Sequence, residues 1–580
     1  MLLRLMPAVF QKRKIELYRN DNNSMTENNN KELATVTLNI EGMTCDHCVV
    51  AIEKRFAGKE GIINKQVNYG EKRGEFSYNP SLISKQEIID TINSSKSYRV
   101  VGNSSEKGSG KNHFDLIIIG GGSAAFSAVI KAEELGLSTL MVNGGLPFGG
   151  TCVNVGCVPS KTLIRAAETA YHASRSNFAG IKPKGVDIDF ARVIKDKKQL
   201  VATLQQKKYM DVVGDFENLN MIEGWAEFLD HKTILVNGKD TYNALKFIIA
   251  TGATTNIPEI EGLNEIGYLT NVSLFDLEEK PESITIMGAG YIGLEIAMAY
   301  NRLGVKVRII EFTDRVLRTQ TPDISEELEK NMKSEGIEIL PNFRAVKFER
   351  KGNDTIIHCK CPDGTTTQIV EPGKIVVASG TKPNTQKLGL HNIGLQLTKS
   401  GHISVTEKME TNLPNIYAVG DVTNTPAFVY TASYEGKIAV ENAFTGAEKK
   451  TDYTSLPWVV FTDPQVAGAG LDEAQAEAQN IPFEVSKLSL SDVPRALAAH
   501  DTRGFIKLIR NTETDKLVGA RIVAPEGGEL IQQLSMAIKH GITVKELAES
   551  FYPYLTLGEG IKLAAITFGK DVSKLSCCAS

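Results

Sequence analysis

The 580-residue chain has no apolar run approaching the ~18 residues that a membrane-spanning helix requires. It has no excess of basic charge. Its 65 Lys and Arg stand against 69 Asp and Glu, a formal net charge of -4 that offers no footing for nucleic acid or an anionic membrane surface. Cysteine is scarce: eight residues are too few for a disulfide scaffold in a chain this long. The apolar patch in the first 24 residues is short for a signal-peptide core, is broken by Arg4, and lacks a small-residue cleavage site after it. Met25 opens "MTENNNKE", which reads like a natural start, so residues 1–24 are expected to be either an over-called start or part of a disordered extension that runs over 1–32. Together these absences point to a cytoplasmic protein of several domains, since single cores stop growing near ~250–300 residues.

What is present is unevenly placed. The cysteines fall in four close pairs, Cys45/Cys48, Cys152/Cys157, Cys359/Cys361 and Cys577/Cys578, a pattern that suits metal or redox chemistry in a reducing compartment. The 50 glycines cluster in short runs at strand ends. Residues 33–102 read as strand, helix, two strands, helix and strand, with Ser84 and Glu87 spaced as a capping box. That βαββαβ order is ferredoxin-like. The small polar stretch "GNSSEKGSGKN" then forms a linker, 103–112.

Two segments share one grammar of apolar strand, glycine turn, amphipathic helix and second strand: "FDLIIIGGGSAAFSAVIKAEELGLSTLMV" and "SITIMGAGYIGLEIAMAYNRLGVKVRIIE". They imply an α/β chain with two dinucleotide sites on doubly wound, Rossmann-like sheets. Gly120, Gly122 and Ala125 hold the key places in the first turn and Gly288, Gly290 and Gly293 in the second. Small residues there let a pyrophosphate approach the helix N-terminus. At the end of the next strand, Asn143 in the first site and Glu311 in the second are placed to meet a ribose. A carboxylate accepts from a 2′-hydroxyl and repels a 2′-phosphate, so Glu311 leans to NADH over NADPH, although Arg308 and Arg315 lie close by. From about Leu456, strands and helices alternate in a separate α+β domain.

"GGTCVNVGCVPSK" (149–161) sets two cysteines at the start of a helix, where a disulfide can close and the helix dipole stabilises a thiolate. This arrangement resembles the flavoprotein disulfide reductase family, and residues 113–580 share its further motifs. "IIATGATTNIP" and "VVASGTKPN" resemble the family's crossings between domains, "TNLPNIYAVGDV" its flavin motif, and "LPWVVFTDPQVAGAG" the opening of its interface domain.

The resemblance implies an FAD domain in two parts (113–280 and 388–455), an NAD(P) domain (281–387) and a dimerisation domain (456–580) of a homodimer. It implies cofactor contacts at Gly150, Thr151, Lys161, Thr251, Gly252, Gly380, Gly420 and Asp421, the last on the ribityl chain of FAD. By position, Cys157 is the flavin-proximal thiol and Cys152 the interchange thiol. Lys161 is expected near the flavin, paired with Glu295. Tyr291 resembles the aromatic gate over the flavin's nicotinamide face, with helix packing as its plainer reading.

Members that reduce organic disulfides need a C-terminal His as general acid–base. In the matching stretch "FYPYLTLGEG", Tyr552 and Tyr554 stand in the histidine places, Leu555 replaces a Pro, and Glu559 remains. A phenol with pKa near ~10 is a poor base at neutral pH, so lipoamide and glutathione are disfavoured. The ending "DVSKLSCCAS" resembles the mercuric reductase branch of the family, in which the tail of one subunit serves the active site of the other. Soft thiolates prefer soft metal ions. Cys577 and Cys578 would pass Hg(II) to Cys152 and Cys157, with Tyr554 positioning the metal, for reduction to Hg(0). The carrier would be a small thiol or a mercury transporter, and the role mercury detoxification.

"GMTCDHC" (42–48) resembles the heavy-metal-associated domain, and Cys45 with Cys48 would capture the same metal. Cys359 and Cys361, alternating on a strand, read as ordinary. Two other readings stay open: a drifted dihydrolipoamide dehydrogenase-like oxidoreductase, and a soft-metal binding protein with a vestigial flavin part.

Overall fold

The computed structural model describes residues 34–43, 46–95, 98–103 and 112–571. The expectations for residues 1–32, Cys45, Cys577 and Cys578 therefore lie outside the described residues. The chain divides near residue 104 into two compact units.

In the first unit, strand Ala34–Glu41 alternates so that Val36, Leu38 and Ile40 are buried. It is followed by helix Asp46–Lys54, strands Ile62–Asn68 and Arg73–Tyr78, helix Lys85–Asn93 and strand Arg99–Asn103. The sheet runs Ile62–Asn68, Arg73–Tyr78, Ala34–Glu41, Arg99–Asn103, with every neighbour antiparallel. This is the expected βαββαβ arrangement. The capping box is present: the Ser84 amide donates to Glu87 Oε2 at 2.8 Å and the Glu87 amide to Ser84 Oγ at 3.2 Å. Cys48, on the first helix, is half-buried against the core that holds Phe56 and Phe76.

The second unit holds the α/β part. Strands Leu219–Glu223, Thr139–Asn143, His113–Ile119, Asp240–Ile249 and Ile416–Ala418 form one parallel array. The central strands read as unbroken apolar runs because helices cover both faces. A second parallel sheet orders Glu338–Leu340, Lys306–Ile310, Ser283–Met287 and Lys374–Val377. The two quoted crossings meet as a short antiparallel pair, Ala253–Thr255 against Thr381–Pro383. The last domain is a five-stranded antiparallel sheet, Trp458–Val460, Gln465–Gly470, Leu517–Ala524, Phe505–Asn511 and Phe483–Ser489.

One apolar core runs through all three parts of this unit. It joins Leu163 and Ala167 of helix Cys157–Ser174, Leu294 and Met298 of helix Tyr291–Arg302, and Val460 and Val523 of the antiparallel sheet. A buried ionic cluster ties the same parts. Arg302 donates to both oxygens of Glu335 at 2.6 and 2.8 Å and to Asp463 at 2.9 Å, and its guanidinium lies 3.9 Å from the Tyr171 ring. Removing one member of such a cluster leaves buried charge without compensation. Arg302→Met should therefore destabilise the fold by about 3–5 kcal/mol, read as a lower urea-unfolding midpoint. A loss of under about 1 kcal/mol would show that the cluster is not a structural tie.

Candidate functional site

Both glycine turns end a buried strand and begin a helix, Ser123–Glu134 or Tyr291–Arg302, whose N-caps Gly122 and Gly290 carry no capping side chain. Their leading amides are therefore unspent and face outward, as anion binding requires. The bare backbone is needed at the first turn. Gly120 has φ +131°, and a Cβ there would lie 2.1 Å from the Ala250 carbonyl oxygen. Gly150, at φ +63°, comes so close to Gly122 that a Cβ would meet its Cα at 2.6 Å. Ala125 is fully buried, and Gly293 packs against the Gly288 carbonyl.

At the strand ends, Asn143 is buried, with its side-chain amide donating to the Leu146 carbonyl at 2.9 Å. The Glu311 carboxylate is buried too. It accepts from the Ala289 amide within the second glycine turn at 2.6 Å, and from the Thr313 amide and hydroxyl at 2.7 and 2.8 Å. Arg308 pairs with Glu338, and Arg315 with Asp314 and the carbonyls of Arg318 and Gln320.

Between the three domains lies a cavity of about 510 Å³. Of the residues expected at the site, Gly122, Thr151, Cys152, Cys157, Lys161, Gly252, Tyr291, Glu295, Gly420 and Asp421 all line it. Thr251 and Gly380 do not line it but brace the crossing strands: Thr251 Oγ1 donates to the Asn384 carbonyl at 2.9 Å, and the Gly380 carbonyl accepts from the Asn256 amide at 2.9 Å. Apolar walls with a few convergent polar groups suit a ring system and its polar edge. Burial raises the Asp421 carboxyl above its ordinary range, a condition that hydroxyl donors on a bound molecule would relieve. The residues present therefore fit a flavin dinucleotide: a glycine cradle for the pyrophosphate, an apolar slot for the ring and a buried carboxylate for the chain between.

Cys157 is the first residue of an 18-residue helix, with Cys152 one short helix earlier. In the dithiol form described here the two thiols are hydrogen-bonded and titrate unequally. Cys157 is lowered to about 7, chiefly by the hydrogen bond from Cys152 and then by the Lys161 charge, against burial and the Glu295 charge. Cys152 is pushed up by the same hydrogen bond and by burial. Lys161 Nζ donates to Glu295 Oε2 at 2.7 Å and lies 4.5 Å from the Phe461 ring centre, while Glu295 Oε1 accepts from the Phe461 amide at 3.0 Å. The expected Lys161–Glu295 pair thus forms.

Tyr291 lines the cavity and stacks on Trp458, with centroids 5.8 Å apart and planes at 15°. Tyr554 and Glu559 do not line the cavity of their own chain. Tyr554 is exposed, Phe551 beside it is fully so, and Glu559 keeps one buried carboxylate oxygen with no partner among the described residues. Cys359 is buried and raised to about 11 by that burial, consistent with an ordinary role.

Several residues of the site carry no sequence signal. Glu435, wholly buried in helix Val429–Thr445, accepts from the Gly420 amide at 2.6 Å and the Tyr453 hydroxyl at 2.7 Å, and so fixes the loop that presents Asp421. Tyr209, whose hydroxyl bonds Ser123 at 3.2 Å, packs edge-on to Phe126. Phe461 and Tyr430 complete the wall.

Residues 114–436 match the pyridine nucleotide-disulphide oxidoreductase family, residues 456–565 its dimerisation domain, and residues 37–98 the heavy-metal-associated domain. The chain is similar to a protein named mercuric reductase from Staphylococcus aureus, 39% identical over 565 residues, covering 96% of this chain and all of that one. A mercuric reductase from Lysinibacillus sphaericus is 39% identical over 93% of this chain and 99% of its own. Among solved structures, the Cu(II) complex of the HOCl-induced flavoprotein disulfide reductase RclA from Escherichia coli superposes with a TM-score of 0.71 at 27% identity, over 79% of this chain and all of that one.

The charges around Cys157 give a signed expectation. Its thiolate fraction should rise with pH through about 7, and Lys161→Met, which removes a stabilising cation, should move that transition upward. The pH dependence of alkylation in the reduced protein measures it. A transition left in place or moved down would remove Lys161 from the activation of the thiol.

Proposed function

The chain belongs to the pyridine nucleotide-disulphide oxidoreductase family, and we propose that it is a mercury(II) reductase that uses FAD and a nicotinamide nucleotide. The observation that carries this reading is a poised dithiol on the wall of a flavin-shaped cavity, in a chain that aligns over 96% of its length with a protein named mercuric reductase. FAD bound there would supply the relay of two electrons from the nicotinamide nucleotide, so that NAD(P)H and Hg(II) give NAD(P)⁺, H⁺ and Hg(0). The chain's own residues bind and position. Gly120, Gly122 and Gly150 hold the pyrophosphate, Asp421 the ribityl hydroxyls, and Tyr291 covers the nicotinamide face. Gly288, Gly290 and Gly293 receive the nicotinamide nucleotide.

Cys152 and Cys157 bind the metal as a pair of soft ligands. The Cys157 thiolate is available near neutral pH, and Lys161 offsets its charge. Tyr552 and Tyr554 in place of histidines agree with a reaction that releases no organic thiol needing a proton. In a homodimer, as the dimerisation domain suits, the exposed Phe551–Leu555 segment would serve the partner's cavity, and Cys577 and Cys578 would bring Hg(II) to it from small thiols or a transporter. Cys45 and Cys48 would capture metal upstream. The buried carboxylate of Glu311, seated on the second glycine turn, favours NADH. Among the described residues no helix is long and apolar enough to cross a membrane. A need for reduced thiols and NAD(P)H supports a cytoplasmic location.

The test is nucleotide oxidation by the FAD-loaded protein with Hg(II) in excess small thiol, run against lipoamide. Hg(II)-dependent turnover, faster with NADH and lowered at least about tenfold in Cys577→Ala/Cys578→Ala, is expected. Turnover with lipoamide alone would overturn the substrate and return the drifted dehydrogenase reading.

A further inference from the structure

We propose that Trp458 is a latch for Tyr291, held in place by Gly468 and Arg521, and that this latch sets how readily a nicotinamide ring reaches the flavin face. The inference rests on Tyr291 acting as the gate. The two stacked rings come from different domains: Tyr291 begins the helix after the second glycine turn, and Trp458 begins the first strand of the antiparallel sheet.

The sheet is built to place that indole. Trp458 pairs with Gly468, and Gly468 pairs with Arg521 on the next strand, so the three lie in one row across the sheet. A Cβ on Gly468 would fall 2.4 Å from the indole and 2.9 Å from Arg521 Cδ. The missing side chain is therefore what allows the indole and the guanidinium to meet, with the Arg521 carbon 5.6 Å from the ring centre.

Arg521 is itself immobilised. It is 2% exposed, donates to the carbonyls of Ala520 and Ala469 at 2.9 and 3.1 Å, and lies 3.6 Å from Asp472. Its Nε donates to Gln320 Oε1 at 3.3 Å. Tyr291 is thus held on its ring face by an indole that itself rests against Arg521. Trp458, Gly468 and Arg521 do not line the cavity. They are positioning residues that act through Tyr291.

Admitting a nicotinamide ring means moving Tyr291 off the indole. A stacked pair shifts such an equilibrium by about two- to tenfold, and the apparent affinity for the nucleotide is reduced by the closed fraction. The test uses the FAD-loaded protein without mercury: anaerobic loss of the oxidised-flavin absorbance on mixing with NADH or NADPH gives an apparent Kd and a limiting rate. Trp458→Leu and Gly468→Ala should tighten the apparent Kd about two- to tenfold, with less effect on the limiting rate. Trp458→Phe, which keeps a ring to stack on, should stay near the parent. In a Tyr291→Ala background, Trp458→Leu should add nothing further.

A second readout avoids turnover. The chain has two tryptophans, the other being the exposed Trp225. In Trp225→Phe the emission of Trp458 should change when oxidised nucleotide binds, and that response should vanish in Trp225→Phe/Tyr291→Ala. An apparent Kd that is unchanged or weakened in Trp458→Leu, or a Trp458→Leu effect that persists in Tyr291→Ala, overturns the latch while leaving the gate standing. If Tyr291→Ala itself leaves the apparent Kd alone, the gate reading fails and the latch with it.

Discussion

One buried carboxylate joins three parts of this molecule at the wall of the cavity. Glu295 sits on the helix after the second glycine turn and is 7% exposed, so its charge must be met inside the protein. One oxygen takes the ammonium of Lys161, from the helix that starts at Cys157. The other takes the amide of Phe461, from the antiparallel domain. Three domains therefore meet on one side chain, and that side chain lines the cavity. Burying it costs solvation. A buried carboxylate with two good donors is tolerable, and one stripped of either is not. This requirement ties the dithiol helix, the helix that begins at Tyr291 and the antiparallel domain to one point on the cavity wall.

The same charges govern the chemistry. The hydrogen bond from Cys152 draws the Cys157 thiol down most and Lys161 adds to it, while burial and the Glu295 charge draw it up, so Cys157 comes to rest near neutrality. Cys152 keeps its proton and lends it as a hydrogen bond. That asymmetry suits a pair in which one sulfur is the resting anion and the other is the exchange partner. Around the pair the wall is mostly apolar, so any charge within it is felt strongly.

Much of this was legible in the sequence because it is local. The two glycine turns, the strand before each and the helix after each lie within about thirty residues, as a βαβ unit demands. The Ser84–Glu87 box spans a single turn of helix and formed as its spacing implied. Cys152 and Cys157 are likewise neighbours in the chain. The residues that escaped are those whose meaning comes from long-range packing. Glu435 is one buried acid in an ordinary helix until the fold brings the Gly420 amide and the Tyr453 hydroxyl to it. Trp458 lay inside a quoted motif, but its stack on Tyr291 depends on strand register and on Gly468 having no side chain. Glu311 shows the converse: its place at the strand end was legible, but its anchoring by the Ala289 amide was not. Tyr554 does not line the cavity of its own chain, which its place in a local motif could not show.

The most direct test of the claim that one carboxylate both joins the domains and tempers the thiol is the pH titration of Cys157 in Glu295→Gln, followed by thiolate absorbance in the reduced protein. The substitution keeps the shape and removes the negative charge. A thiolate that appears at lower pH than in the parent, whose transition lies at about 7, is expected. A transition that stays in place or moves upward would contradict it.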